Sequence, residues 1–381
     1  MSELRVAIFT GNYNHIKDGV SLTLNRLVDY LQRNDVPVIV FGPTNDDPDL
    51  IHNGEFVPVP SIPVPGRQEY RLSTGFPDEA KKRLEEFRPT LVHLATPDLL
   101  GFRAMRWAQK NDIQVVASYH THFTSYLKYY NLEMLEMLGW KYANWFYSQC
   151  RHVYVPSPSM ADQLHKKGIS NEIRIWARGV DTEMFNPDWY SNEWRQKRGF
   201  QKEDIIVTFV SRLVWEKNLH TFVDAAKKLD DHIKPMIVGD GPAMKDLQEM
   251  LPTAHFTSFI TGKELARAYA SSDIFLFPSE TETFGNVTLE AMASGLPCIV
   301  ADATGSKSLV ESGVNGYLSP PRDTEEFAKF VRKIANDEEL RRKMAKRARQ
   351  KALAYSWDRV NESLLKNYRE AISEKPITSK F

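Results

Sequence analysis

The chain has 381 residues and equal numbers of basic and acidic side chains, 49 of each, for a formal net charge of zero. That length accommodates two domains, each with a core of its own, while the charge balance supplies no global field for nucleic acid, so no nucleic-acid partner is expected; a local membrane patch stays open. Its two cysteines, Cys150 and Cys298, lie far apart in sequence, which argues against a disulfide framework and suits a reducing compartment.

The first residues, "MSELRVAIFTGNYNH", enter a strand almost at once and lack the apolar stretch of a signal peptide. No run approaches the ~18 apolar residues of a membrane span. The expected location is the cytoplasm, with room for peripheral contact at the inner face of the membrane. Short β-branched runs follow: Leu4–Thr10, Val36–Phe41, Thr90–Ala95, Ile113–Tyr119 and His152–Val155. Amphipathic segments lie between several of them, such as "GVSLTLNRLVDYLQRN" with Leu24, Leu27, Val28 and Leu31 on one side. "FVPVPSIPVPGRQEYRLS" reads as a long Pro-rich loop, and "NDDPD" at 45–49 as a solvated one.

A second series begins after "FNPDWYSNEWRQKRGFQKED", with runs at Asp204–Ser211, Lys234–Gly239, Asp273–Pro278 and Pro297–Ala301. Alternating strands and helices predict an α/β class with parallel sheets. The economical division is residues 1–186 as a first Rossmann-like domain, 187–203 as a linker, 204–355 as a second such domain, and 356–381 as a helix returning to the first. In such a fold ligands bind at the carboxyl ends of the strands.

Five constellations occupy those ends. Gly19 stands where the loop "TGNYNHIKDGVS" turns into a helix; a missing Cβ there admits a ligand, although an ordinary helix-start glycine is an equal reading. The loop lacks G-x-G-x-x-G, which weakens a nicotinamide or flavin reading. Arg212 and Lys217 in "SRLVWEKN" combine a guanidinium fork with an ammonium, suited to two phosphates; alone, they read as a solvated basic loop. Gly241 in "GDGP" marks a tight turn whose small residues let a ligand approach. In "SETETFGNVTLEAMA" a helix is expected near Asn286, with Phe284 and Gly285 before it. The amides of Gly285, Asn286 and Val287 would then be free for a phosphate. Glu290 would accept vicinal hydroxyls such as those of a ribose, and Glu282 those of a second sugar, although carboxylates also simply favour helix starts. In "SYHTHFTSY", His120 and His122 have no obvious third metal ligand, so His120 reads as a hydrogen-bonding or acid–base group.

"ETFGNVTLE" completes the E-x7-E motif (Glu282 to Glu290) of retaining glycosyltransferases of family 4 with the GT-B fold, two Rossmann-like domains facing across a cleft. The chain also resembles that family in its Arg…Lys pair, its "GDGP" turn, "ARGVDTEMFNP" and the closing "YSWDRV". "SYHTHFTSY" with "ARGVD" is most similar to the glycolipid-forming branch, sulfoquinovosyl-diacylglycerol synthase and related mannosyl- and glucuronosyltransferases. The resemblance implies a metal-independent hexosyltransferase without a cofactor, moving a sugar with retention from a nucleotide-sugar, UDP-linked in preference to GDP-mannose, to a lipid such as diacylglycerol. Arg212 and Lys217 would neutralise the diphosphate, Glu290 hold the ribose and Glu282 the transferred sugar. His120 would touch that sugar, Gly19 and the 285–287 amides close around it, and Phe259 and Ile260 lie against the base. Many relatives carry two glycines where this chain has Asp18-Gly19. Rival readings are an epimerase or hydrolase of the same fold, a two-domain binding protein, and a phosphorylase using Lys217 to hold pyridoxal.

Overall fold

The structure is a computed structural model that describes residues 3–64, 67–120, 133–169 and 172–374. It divides into two compact units, one holding the chain up to Ala177 together with the residues from Val360 onward, the other Arg178–Arg359.

The first unit is built on a seven-stranded sheet in the order β3-β2-β1-β6-β7-β8-β9, every pairing parallel. Its strands are β1 Val6–Phe9, β2 Val38–Gly42, β3 Glu55–Pro58, β6 Leu91–Leu94, β7 Gln114–Ser118, β8 His152–Val155 and β9 Glu172–Ile175; β4 Ser61–Val64 and β5 Arg67–Ser73 make a separate antiparallel hairpin. Strand β1 is apolar along its whole length because helices cover both faces of a parallel sheet; Val6, Ala7, Ile8 and Phe9 are all fully buried. Helix Gly19–Arg33 turns Leu24, Leu27, Val28 and Leu31 onto that core, each completely excluded from solvent.

The second unit carries a six-stranded parallel sheet, β12-β11-β10-β13-β14-β15. Its strands are β10 Ile205–Val210, β11 Ile233–Val238, β12 His255–Phe256, β13 Ile274–Phe277, β14 Cys298–Ala301 and β15 Gly316–Ser319. Strand order reverses between β10 and β13, and there a doubly wound sheet opens a crevice at its carboxyl edge.

Three readings of the sequence need correction. The Pro-rich stretch is not one loop but contains β3 and the β4–β5 hairpin; these strands are mostly half-exposed, so the apolar runs that betray a buried strand are missing. Strands β9, β12 and β15 escape the sequence pattern, because β9 is a charged edge strand, β12 has two residues and β15 opens on a glycine. Residues 187–203 are no free tether. They form a short 3-10 turn and helix Asn192–Lys197 packed within the second unit, where Trp194 and Phe200 are buried. Arg195 is buried there too, donating to Asp273 Oδ2 at 3.0 Å.

The chain leaves the second unit along a close backbone contact, with Val180 N donating to Tyr355 O at 2.8 Å. A side chain at Gly179 would strike the Trp357 ring. The final helix, Trp357–Ser373, buries Val360, Leu364, Leu365 and Tyr368 in the first unit. Gln114 secures it by donating to the carbonyls of Ala371 and Glu374, both at 2.9 Å. Among the described residues, no helix is long and apolar enough to cross a membrane.

Candidate active site

In the second unit, the loops that follow β12, β11, β10 and β13 carry Phe259, Gly241, Arg212 with Lys217, and Glu282, in that order along one edge. The topology thus gathers residues spread over about seventy positions of sequence along the carboxyl edge of the sheet.

Lys217 and Glu282 meet across that reversal. Their Nζ and Oε1 atoms are 2.6 Å apart, and both side chains are about four-fifths shielded. Ser279 Oγ donates to the same oxygen at 3.0 Å. The sequence pattern assigns the two residues separate ligands; the structure makes each the other's partner. An ammonium has three donors, so Lys217 keeps two for an incoming phosphate. Beside it Asn218, in a left-handed conformation (φ 55°), ties the two loops together by donating to Pro278 O at 3.0 Å and Glu280 Oε1 at 2.6 Å. Arg212 stays largely exposed, 3.6 Å from Glu216, and so is available to a solvent-side ligand.

Helix Asn286–Ala293 starts at Gly285, whose φ of 97° only glycine adopts readily and against which Ser306 packs closely. No hydrogen bond to the amides of Gly285, Asn286 or Val287 occurs among the described residues, as the first turn of a helix requires. Glu290 lies on the first turns. Tyr269 donates to its Oε2 at 3.2 Å and also lies 3.3 Å from Val287 O. Burial pushes the Glu290 carboxyl up to about 7, opposed by the Tyr269 hydrogen bond, which favours the charged form.

Two assignments change. Phe284 is not a ligand contact through its ring, which is buried against Tyr355. At Gly241 (φ 156°) the space a Cβ would take is filled by the Leu213 backbone, so this glycine permits loop-on-loop packing and its Cβ side has no room for a ligand. Phe259, by contrast, is 74% exposed, an aromatic face left to solvent, with Ile260 half-buried beside it.

In the first unit, Gly19 has open space where a Cβ would stand. Its neighbour Asp18 caps the helix, accepting from Val20 N at 3.0 Å and Ser21 N at 2.8 Å, while Asn12 donates to it at 2.8 Å. Part of that N-terminus is therefore filled by the chain's own carboxylate. His120 follows β7 and is buried, with Nε2 2.7 Å from Ser118 Oγ and its ring edge-on to Trp176. His122 lies outside the described residues.

His152, Glu172 and Glu374 form the one group among the described residues with atoms close enough to hold a metal ion. Arg174 takes Glu172 at 2.5 Å and Arg151 is bonded to Glu374, so both carboxylates already have guanidinium partners. None of these residues belongs to the candidate site. The sequence pattern does not single out Tyr269, Asn218, Ser279 or Glu280. Asn218 adjoins a recognisable motif, but nothing local distinguishes Tyr269 from a core aromatic.

The family model of "Glycosyl transferases group 1" matches residues 191–351, and that of "Glycosyltransferase Family 4" residues 17–184. A GDP-mannose-dependent alpha-mannosyltransferase of Corynebacterium glutamicum is 33% identical over 374 residues, covering 97% of this chain and 90% of that protein. The sulfoquinovosyl transferase SQD2 of Arabidopsis thaliana is 31% identical over 347 residues, 89% and 68% of the two chains. An alpha-monoglucosyldiacylglycerol synthase of Streptococcus pneumoniae is 26% identical over 331 residues, 83% and 75% of the two. Among solved structures, a sucrose-phosphate synthase from Thermosynechococcus elongatus superposes with a TM-score of 0.78 at 19% identity, covering 97% of this chain and all of that one. The two matched family models, the two Rossmann-like sheets and these relatives place the chain in glycosyltransferase family 4, as a glycosyltransferase of the GT-B fold.

Proposed function

We propose that this enzyme transfers a hexose from a nucleotide diphosphate sugar, UDP-linked, to a lipid such as diacylglycerol, with retention and without a metal. The observation that carries the reading is the cluster at the sheet reversal. There Lys217, shared with Glu282, and the open amides of Asn286–Ala293 offer positive charge, with Glu290 a few residues along the helix. Charge developing on a departing nucleotide diphosphate is stabilised by fixed cations and helix amides placed beforehand. Arg212 adds a fork for the second phosphate. Glu290 takes the ribose hydroxyls, Glu282 the transferred sugar, and Phe259 with Ile260 the base.

A lipid acceptor is supported by helix Glu133–Ser148 of the first unit. Its later residues Phe146 and Tyr147 are core, whereas Met137, Leu138 and Tyr142 are 53%, 49% and 40% exposed. Apolar and aromatic side chains left in water at one end of a helix suit an interfacial ligand. A second reading, GDP-mannose as donor, is favoured by the donor that the Corynebacterium relative's name carries. Calorimetric titration with UDP and GDP in EDTA separates the two. Micromolar binding of UDP supports the first, tighter binding of GDP replaces it with the second, and failure of both with folded protein overturns the donor site. Phe259→Ala should raise the donor KM roughly tenfold, the scale of one base–aromatic stack; a KM within a factor of about two would remove Phe259 from the site.

A further inference from the structure

A buried file of hydrogen bonds runs from the C-terminal helix to His120. Tyr368 Oη lies 2.5 Å from His93 Nδ1. His93 Nε2 lies 2.9 Å from Ser118 Oγ, which lies 2.7 Å from His120 Nε2. Tyr368, His93 and Ser118 are at most 1% exposed and His120 6%. Tyr154, Trp176 and Tyr368 pack their rings around His93.

The direction of the protons in this file follows from counting donors. Among the described residues, the Tyr368 hydroxyl has one hydrogen-bond partner, His93 Nδ1. A buried O–H without an acceptor costs about 1–3 kcal/mol, so Tyr368 donates and Nδ1 accepts. Burial pushes the His93 imidazole down to about 3, so the ring is neutral and carries its single proton on Nε2. That proton goes to Ser118 Oγ. The Ser118 hydroxyl, whose partners among the described residues are the two histidines, then spends its own proton on His120 Nε2. The reverse direction would orphan the Tyr368 hydroxyl, and a doubly protonated His120 would leave the Ser118 proton without an acceptor.

We propose that Tyr368, His93 and Ser118 are positioning residues that hold His120 as the neutral tautomer protonated on Nδ1, so that its Nδ1 is a hydrogen-bond donor and not a base. A part for His120 in sugar transfer is what the family resemblance implies and rests on the transferase reading above; its tautomer does not. The residue that sets the direction, Tyr368, stands 248 positions later in the chain, on the helix Trp357–Ser373 that packs into this unit.

Nitrogen-15 spectra of histidine-labelled enzyme read the tautomer directly. The expected wild-type result is a protonated Nδ1 and a bare Nε2 on His120 near neutral pH; a protonated Nε2, alone or together with Nδ1, overturns the proposal. In Tyr368→Phe and in Ser118→Ala the bias is lost and both tautomers appear. Their kcat should fall about tenfold, the effect of losing an orienting partner of a functional histidine, with the donor KM little changed. Ser118→Ala keeps the test available if the tyrosine variant does not fold. Both variants retaining the wild-type tautomer would overturn the proposal. Two replacements of His120 add a readout by shape. The amide nitrogen of His120→Asn stands where Nδ1 stood and that of His120→Gln where Nε2 stood, so the asparagine variant should keep more activity; the opposite order contradicts a donor at Nδ1. If every His120 variant transfers at the wild-type rate, His120 has no part in transfer, while the spectra still judge the file.

Discussion

Glu290→Gln should raise the donor KM about a hundredfold while making the protein more stable at alkaline pH. The functional half follows from two charge-assisted hydrogen bonds to vicinal hydroxyls, each worth about 1.5–3 kcal/mol, being replaced by neutral ones. The stability half follows from the raised carboxyl. Its folded value is about 7 against 4.5 for the free group, so between those values the unfolded chain has lost a proton that the folded chain retains. Stability therefore falls as pH rises through this window, and the loss, on the order of 3 kcal/mol, is complete above pH 7. Glutamine does not titrate and removes the loss. In the wild type, donor affinity should improve as pH rises through about 7 and the carboxylate forms, whereas the variant should show no such rise. Thermal melts and donor kinetics across roughly pH 5.5–8.5 check both halves. A variant with wild-type KM at pH 8 would remove Glu290 from the donor site. Parallel stability profiles would show that its carboxyl is not held high.

Lys217→Ala should cost about 10²–10³ in kcat, the scale of losing one preorganised group that stabilises a transition-state charge. The loss has two parts. The diphosphate loses an ammonium, and Glu282 is left as an uncompensated, mostly shielded carboxylate 3.0 Å from Ser279 Oγ. Removing one member of such a pair is more damaging than removing both. Lys217→Ala/Glu282→Ala should therefore show strong coupling, with the double variant less impaired than the sum of the two single ones. Steady-state kinetics of the four proteins give the cycle. Additive losses would mean that the ion pair has no part in transfer, and a Lys217→Ala enzyme within about threefold of wild type would remove Lys217 from the diphosphate.

The stretches legible in the amino-acid sequence are those whose chemistry is local. Leu24, Leu27, Val28 and Leu31 announce a helix because one turn brings them onto one face, and all four are buried. The run at His152–Val155 announces a strand because both faces of a parallel sheet are covered, and it is one, β8. The hairpin β4–β5 and the edge strand β9 are invisible for the same reason, since side chains left half in water carry no apolar pattern. In "SETETFGNVTLE" the helix start, the glycine turn and the two glutamates lie within nine residues, so the candidate site can be read from one stretch, whose spacing resembles the E-x7-E motif of the family.

Only the tertiary structure decides what each side chain meets. That Lys217 belongs with Glu282, 65 positions away, depends on β10 and β13 being neighbours at the sheet reversal. Phe284 and Gly241 stand beside ligand-binding candidates in sequence but face Tyr355 and Leu213 in space. Tyr269 meets Glu290, and Tyr368 reaches His93, through pairings of separate elements that no local period encodes. Periodicity and spacing report which residues share a turn or a face; partners across a sheet, and the proton positions they impose, are set by how the elements pack.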